Sequence, residues 1–151
     1  MPKTSTRRAA RGAAYRLDDQ VGFLLRRAYQ RASANLTDRI RVHDLTPPQF
    51  ATLARLYERG NLSQNRLGRL VAMEPANIRD VVQRLRKRRL VATGRDATDS
   101  RRILVGLTAA GAALVTRLVP VEIACTAKTL APLAPAERTQ LYTLLRRLAA
   151  G

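Results

Sequence analysis

The chain has 151 residues, 46% of them hydrophobic and 26% charged, which suits one globular domain that buries a core without staples. Lys plus Arg number 28 against 11 acids, a net charge of +17, and with lysine only at Lys3, Lys87 and Lys128 the other 25 cations are arginines. One Cys and one His leave no ligand set for structural zinc, no disulfide framework and no Ser/His/Asp or Cys/His catalytic group, so neither a metal nor an enzyme is expected.

Residues 1–16 carry Lys3, Arg7, Arg8, Arg11 and Arg16 without an acid. They read as a disordered basic arm, either a solvated tail or a contact to a DNA backbone. No signal-peptide core follows, and no stretch approaches the ~18 to 20 uninterrupted apolar residues of a membrane span. The expected location is cytoplasmic, with no membrane partner and no cofactor.

From Leu17 to about Val42 the apolar residues Leu17, Val21, Leu24, Leu25, Ala28, Ala32 and Leu36 recur at helical spacing. The stripe is wide enough to be shared with a second chain. Thr46 then offers an N-cap with Pro47 at the first helical position. Phe50, Leu53, Ala54 and Tyr57 carry that second helix to Arg59-Gly60. Ser63 caps a short helix with Leu67, Leu70 and Val71 inward. A turn through Ala72 to Glu74 leads to a helix opened by Pro75, with Ile78, Val81, Val82 and Leu85 on one face. Two short helices joined this way form a helix-turn-helix pattern.

Leu90 to Thr93 reads as a strand, Gly94 to Ser100 as a polar turn, and Arg102 to Leu107 as a second strand with Ile103, Val105 and Leu107 on one face. A helix pair followed by a β-hairpin is a winged helix. Thr108 caps another long helix running to about Leu130. After Pro132 and Pro135, Leu141, Leu144, Leu145 and Leu148 define the last one. The fold class is therefore mainly α with a small β-wing.

Between Ser63 and Arg102 eleven cations face four acids, a net charge of +7. That density is the electrostatic footprint of a duplex-binding surface. Asn77, Arg79, Asp80, Gln83 and Arg84 lie off the apolar stripe of the Pro75 helix and are side-chain types that reach base edges in a major groove. The run Arg86 to Arg89 either contacts phosphate or simply offsets the helix dipole. Arg101, at the end of a two-stranded ribbon, is placed to enter a minor groove. Asp99 would orient a nearby arginine, since phosphate repels a carboxylate. The candidate DNA-binding set also takes in Ser63, Gln64 and Asn65, Pro75 and Ala76, and Arg95 and Arg102.

The sequence resembles the MarR family of bacterial transcriptional regulators over residues 17–150. Asp99-Ser-Arg-Arg-Ile-Leu-Val-Gly-Leu-Thr108-Ala-Ala-Gly111 looks like that family's wing and following helix. Leu45-Thr-Pro-Pro-Gln-Phe50, with Leu53 and Leu56, resembles its second-helix opening, and Arg84-Leu85 through Leu90-Val91 the end of its recognition helix. Arg88-Arg89 departs from the Lys/Glu-Gly or similar pair of many members.

The resemblance implies a single domain over 17–151. Residues 17–45 and 108–151 would be dimerisation helices flanking a winged helix-turn-helix over 46–107. It implies a homodimer on a palindromic operator in double-stranded DNA, with half-sites about one helical turn, roughly 34 Å, apart. It also implies a repressor, nucleoid-associated when DNA-bound, that a small aromatic acid releases. Val21-Gly-Phe-Leu-Leu-Arg-Arg looks similar to members that control nicotinate and other aromatic-acid catabolism.

Arg31, Arg39 and His43, near Gln49 and Phe50, are the candidate effector-binding residues, a cation suiting a ring carboxylate. Against this, Arg39 would pair with an acid at the dimer interface and His43 would cap a helix end. Cys125, among Ile123, Ala124 and Ala127, reads as a buried small hydrophobe rather than a redox sensor. A sequence-indifferent architectural DNA-binding protein would also explain the charge. An RNA-binding role lacks aromatic platforms, with Trp absent and aromatics only 4%.

Overall fold

The computed structural model describes residues 15–151, so Lys3, Arg7, Arg8 and Arg11 lie outside the described residues. A 3-10 turn at Leu17–Asp19 precedes α1, Val21–Ile40, and a second at Arg41–His43 follows it. The single helix expected over 17–42 is thus trimmed at both ends. Asp44, left-handed at φ 53°, ends it, because such a residue cannot continue a right-handed helix.

The second helix, α2 (Pro47–Arg59), begins on a reciprocal cap. Thr46 Oγ1 accepts the Gln49 amide at 3.4 Å while Gln49 Oε1 accepts the Thr46 amide at 3.0 Å. Two otherwise unpaired donors are satisfied at once. Next come β1, Leu62–Ser63, then α3, Gln64–Leu70, and α4, Pro75–Lys87. The wing is β2, Val91–Arg95, and β3, Ile103–Leu107. The molecule ends with α5, Ala109–Leu130, and α6, Pro135–Ala150.

The sheet order is β1-β3-β2, antiparallel throughout. Three details correct the sequence reading. Leu62 and Ser63 form a strand, paired with Val105 and Leu104. Gly94 and Arg95 continue β2 opposite Leu104 and Ile103, so the turn is shorter than expected. Ile103 is 63% exposed, since it pairs with Arg95 near the tip, beyond the reach of the helices. The inward residues of the sheet are Leu62, Val91 and Val105.

These side chains meet Ile40, Leu53, Leu56, Leu67, Ile78, Leu85, Val115 and Leu118 in one core cluster. Every helix from α1 to α5 contributes to it. Among the described residues, α5 is the one helix long and apolar enough to cross a bilayer by length and composition. Arg117 and Glu122 interrupt it, and its buried Leu114, Val115 and Leu118 belong to the core. It also runs through Pro120, whose exposed position lets water serve the carbonyl that loses its partner. By contrast, α6 buries none of its residues within one chain.

Two helix ends share one device. At the end of α4 the Leu90 amide bonds the Leu85 carbonyl at 3.0 Å and the Arg89 amide bonds Arg86 at 2.9 Å. At the end of α3 the Met73 amide bonds Gly68 at 2.9 Å and Ala72 bonds Arg69 at 3.3 Å. Both are Schellman closures, in which the left-handed position favours glycine. Here Arg89 (φ 57°) and Ala72 (φ 54°) occupy it. Arg89→Gly should therefore raise the unfolding free energy by roughly 0.5–1 kcal/mol, the released left-handed cost less the added chain entropy. Chemical denaturation measures it, and a lower stability would show that the Arg89 side chain supports the turn.

Candidate nucleic-acid interface and adjoining cleft

The sequence builds α4 with one apolar and one polar face. Ile78, Val82 and Leu85 are buried, so Asn77, Arg79, Asp80, Gln83 and Arg84 are left on the exposed side. Pro75 and Ala76 are exposed at its first turn, as is Asn65 on α3, while Ser63 and Gln64 are half-buried. Ser63 Oγ accepts the Arg66 amide at 3.4 Å, which commits it as a cap of α3. Gly68 lets α3 approach α4, since a Cβ there would stand 3.0 Å from Ile78 Cγ2. On α4, Arg84 Nε donates to Asp80 Oδ2 at 3.0 Å. This pair is solvent-exposed and adds little stability, but it aims the guanidinium along the exposed face.

The wing tip is shaped by its two aspartates. Asp96 Oδ1 accepts the Thr98 amide at 3.0 Å and the Thr98 hydroxyl at 2.8 Å. The Thr98 amide and hydroxyl hold its carboxyl below the usual range, with Arg102 adding a smaller attraction. Asp99 Oδ1 accepts the Arg101 amide at 3.0 Å, and the Asp99 carbonyl accepts the Arg102 amide at 3.0 Å. Asp99 thus acts on an arginine through its backbone, and among the described residues it forms no ion pair. Arg95 spans the tip to the Ser100 carbonyl at 2.9 Å. Arg101 and Arg102 are left exposed. A fixed turn thereby presents exposed cations.

Behind α4 a long-range strap escaped sequence reasoning. The Arg88 guanidinium donates to the carbonyls of Asp44 at 2.6 Å and His43 at 2.8 Å. It ties the end of α4 to the linker between α1 and α2. Nothing in a run of four basic residues distinguishes the one that bridges to a segment over forty positions away.

A cleft of about 830 Å3 opens between α1, α2 and α5. Its walls include Tyr29 and Leu36 of α1, Phe50 and Arg55 of α2, and Glu122, Cys125 and Thr129 of α5. Tyr142 of α6 also lines it, as do Leu70 at the end of α3 and Val71 to Met73 of the turn between α3 and α4. Of the candidate effector residues, Phe50 lines the cleft. Arg31, Arg39, His43 and Gln49 lie outside its lining. Gln49 is engaged in the α2 cap, Arg31 and Arg39 are exposed, and His43 is half-buried.

Polar bonds fix α1 against α5 beside this space. Asn35 Nδ2 donates to Thr129 Oγ1 at 2.9 Å, and the Cys125 thiol reaches the Asn35 carbonyl at 3.3 Å. Burial, and then the Glu122 charge, push the Cys125 thiol up, while Arg39 and Lys128 pull weakly the other way. A thiol so held is a poor nucleophile. Burial likewise pushes the Glu122 carboxyl up.

The comparisons with known proteins agree with this architecture. The MarR family model matches residues 43–102. The chain is 37% identical over 134 residues to the HTH-type transcriptional repressor NicR of Pseudomonas putida, covering 89% of this chain and 85% of that protein. A crystal structure of a probable transcriptional regulator from Pseudomonas aeruginosa is 47% identical, with a TM-score of 0.81 over 88% of this chain and 99% of that one. BpsR of Bordetella bronchiseptica, whose DNA binding is regulated by 6-hydroxynicotinic acid, is 39% identical. It superposes with a TM-score of 0.86 over 92% of this chain and 99% of its own. The helix-turn-helix, the wing and the flanking helices thus have relatives along nearly their whole length, and the chain belongs to the MarR family of transcriptional regulators.

Proposed function

We propose that a homodimer of this chain represses transcription by binding a palindromic operator, and that a small aromatic acid seated in the cleft releases it. In each subunit α4 would enter a major groove, with Asn77, Arg79, Gln83 and Arg84 facing base edges and Arg101 reaching the adjacent minor groove. Leu17, Val21, Leu24 and Leu25 in and before α1 are exposed in one chain, as are Ile123 of α5 and Leu144, Leu145 and Leu148 of α6. That much apolar surface suits burial against a second copy. The flanking segments 17–45 and 108–151 are accordingly the dimerisation helices and 46–107 the reading unit. Such a regulator works in the cytoplasm on the nucleoid.

One observation carries this reading: the turn that joins α3 to α4 is also a wall of the cleft. A ligand filling the space would touch residues of the turn that aims the reading helix. The NicR and BpsR relatives, one a repressor and one regulated by an aromatic acid, support the same assignment. A ligand that favours one setting of the turn by about 1–3 kcal/mol would change operator affinity by roughly 5- to 150-fold.

The test of base reading is Gln83→Ala, assayed against an operator and its single-position variants. Relaxed preference at one symmetric pair of positions, by about 1–3 kcal/mol, is expected. A uniform loss on every sequence would instead make Gln83 a phosphate contact.

A further inference from the structure

Within the cleft one acid is set apart from the other charges of its lining. On the α2 wall Arg55 and Glu58 bond each other at 2.8 Å. On the α5 wall, Glu122 Oε2 is buried and has no hydrogen-bond partner among the described residues. Its neighbours on α5 are already engaged, since the Cys125 thiol points to Asn35 and the Thr129 hydroxyl donates to the Cys125 carbonyl at 2.9 Å. A buried acceptor without a donor is costly, and such atoms in native proteins usually meet a partner that the isolated chain does not supply.

Resting on the reading that the cleft holds an aromatic acid, we propose that Glu122 determines its specificity. The Glu122 carboxyl would accept a hydrogen bond from an N–H or O–H donor on the ligand's ring. The ligand's own carboxylate is repelled from Glu122 and turns toward the α2 wall, where Arg55 lies. The ring's far side then faces α5. An aromatic acid lacking a donor there leaves Oε2 buried and unpaired, as it is in the free chain, and forgoes the hydrogen bond that a donor-bearing ring gains. Sites built around a hydrogen bond reject the analogue that lacks it more strongly than apolar pockets reject a missing methylene.

The test uses the full-length protein and two matched pairs of probes, titrated calorimetrically. 6-Hydroxynicotinate, whose pyridone form carries a ring N–H, is compared with nicotinate, and 4-hydroxybenzoate with benzoate. The wild type should favour the donor-bearing member of at least one pair by about tenfold or more. Glu122→Leu should bring that ratio near unity without weakening benzoate, and Glu122→Gln, which keeps a neutral acceptor, should fall between. Thermal unfolding of Glu122→Leu should be no lower than wild type, because an unpaired buried carboxyl has been removed. A wild type that binds these acids without preference, or a Glu122→Leu variant that keeps the preference, overturns the role of Glu122 and leaves the aromatic-acid reading intact. Failure of the wild type to bind any of the four overturns both.

Discussion

Arg101→Ala is expected to weaken operator binding by about 10- to 100-fold, roughly 1–3 kcal/mol, while leaving the dimer and its thermal unfolding unchanged. The separation of the two readouts follows from the wing tip. Its backbone is held by Asp96 accepting from Thr98, by Asp99 accepting the Arg101 amide, and by Arg95 reaching the Ser100 carbonyl. None of these bonds uses the Arg101 guanidinium, which is exposed. Truncation therefore removes a cation without reshaping the ribbon. Band-shift or anisotropy titration at fixed salt measures the loss. An unchanged affinity would take Arg101 out of the interface, and a lowered unfolding midpoint would make it a structural residue.

The largest effect on stability is expected at Gly111. A Cβ there would run into the Leu90 carbonyl, the atom that accepts the Thr108 amide at 3.1 Å. Thr108 in turn caps α5 through the Gly111 amide at 3.0 Å and donates its hydroxyl to the Arg89 carbonyl at 2.7 Å. The end of α4, the start of the wing and the start of α5 thus meet within one van der Waals contact. Backbone cannot move aside as a flexible side chain does. Gly111→Ala should cost about 3 kcal/mol, a large share of the 5–15 kcal/mol typical of a domain. Gly94→Ala is the control, because nothing lies within 4 Å of its added Cβ. Denaturation of the two variants side by side checks the argument, and equal stabilities would refute it.

The order of elements was legible because local chemistry marks each start. Thr46-Pro47, Ser63, Pro75 and Thr108 are start signals whose mechanism needs no tertiary partner, and helices follow directly after each. What depended on distant partners was not legible. Leu62 and Ser63 are too short to announce a strand and become one by pairing with β3. Gly94 and Arg95 look like turn residues alone, but the ladder opposite Ile103 and Leu104 extends them. Arg89 sits left-handed without being glycine, since the Leu85–Leu90 closure and the packing of both leucines outweigh a local preference.

The two candidate sites differ in the same way. The exposed face of α4 can be read from periodicity, because burying Ile78, Val82 and Leu85 dictates which residues remain outside. The cleft draws on five separate segments, and only Phe50 among the residues expected near an effector lines it. Arg39 shares the angular range of the α1 stripe, but periodicity does not say whether that part of the helix meets a cleft, a partner or water. One signal was available for Glu122: it is the sole acid in the 22-residue helix α5. A lone acid in such a segment asks for a partner.

The most direct test of the central claim is the affinity of the full-length protein for the DNA flanking its own gene and for scrambled DNA of equal length. It should be measured at about 150 mM salt, where surface charge is realistically screened, with site selection across the genome if the flanking DNA is not preferred. A specific regulator predicts a site bound more than about 1000-fold tighter than random sequence. Equal affinity for every sequence would contradict the account and leave a basic protein that coats DNA through its charge alone.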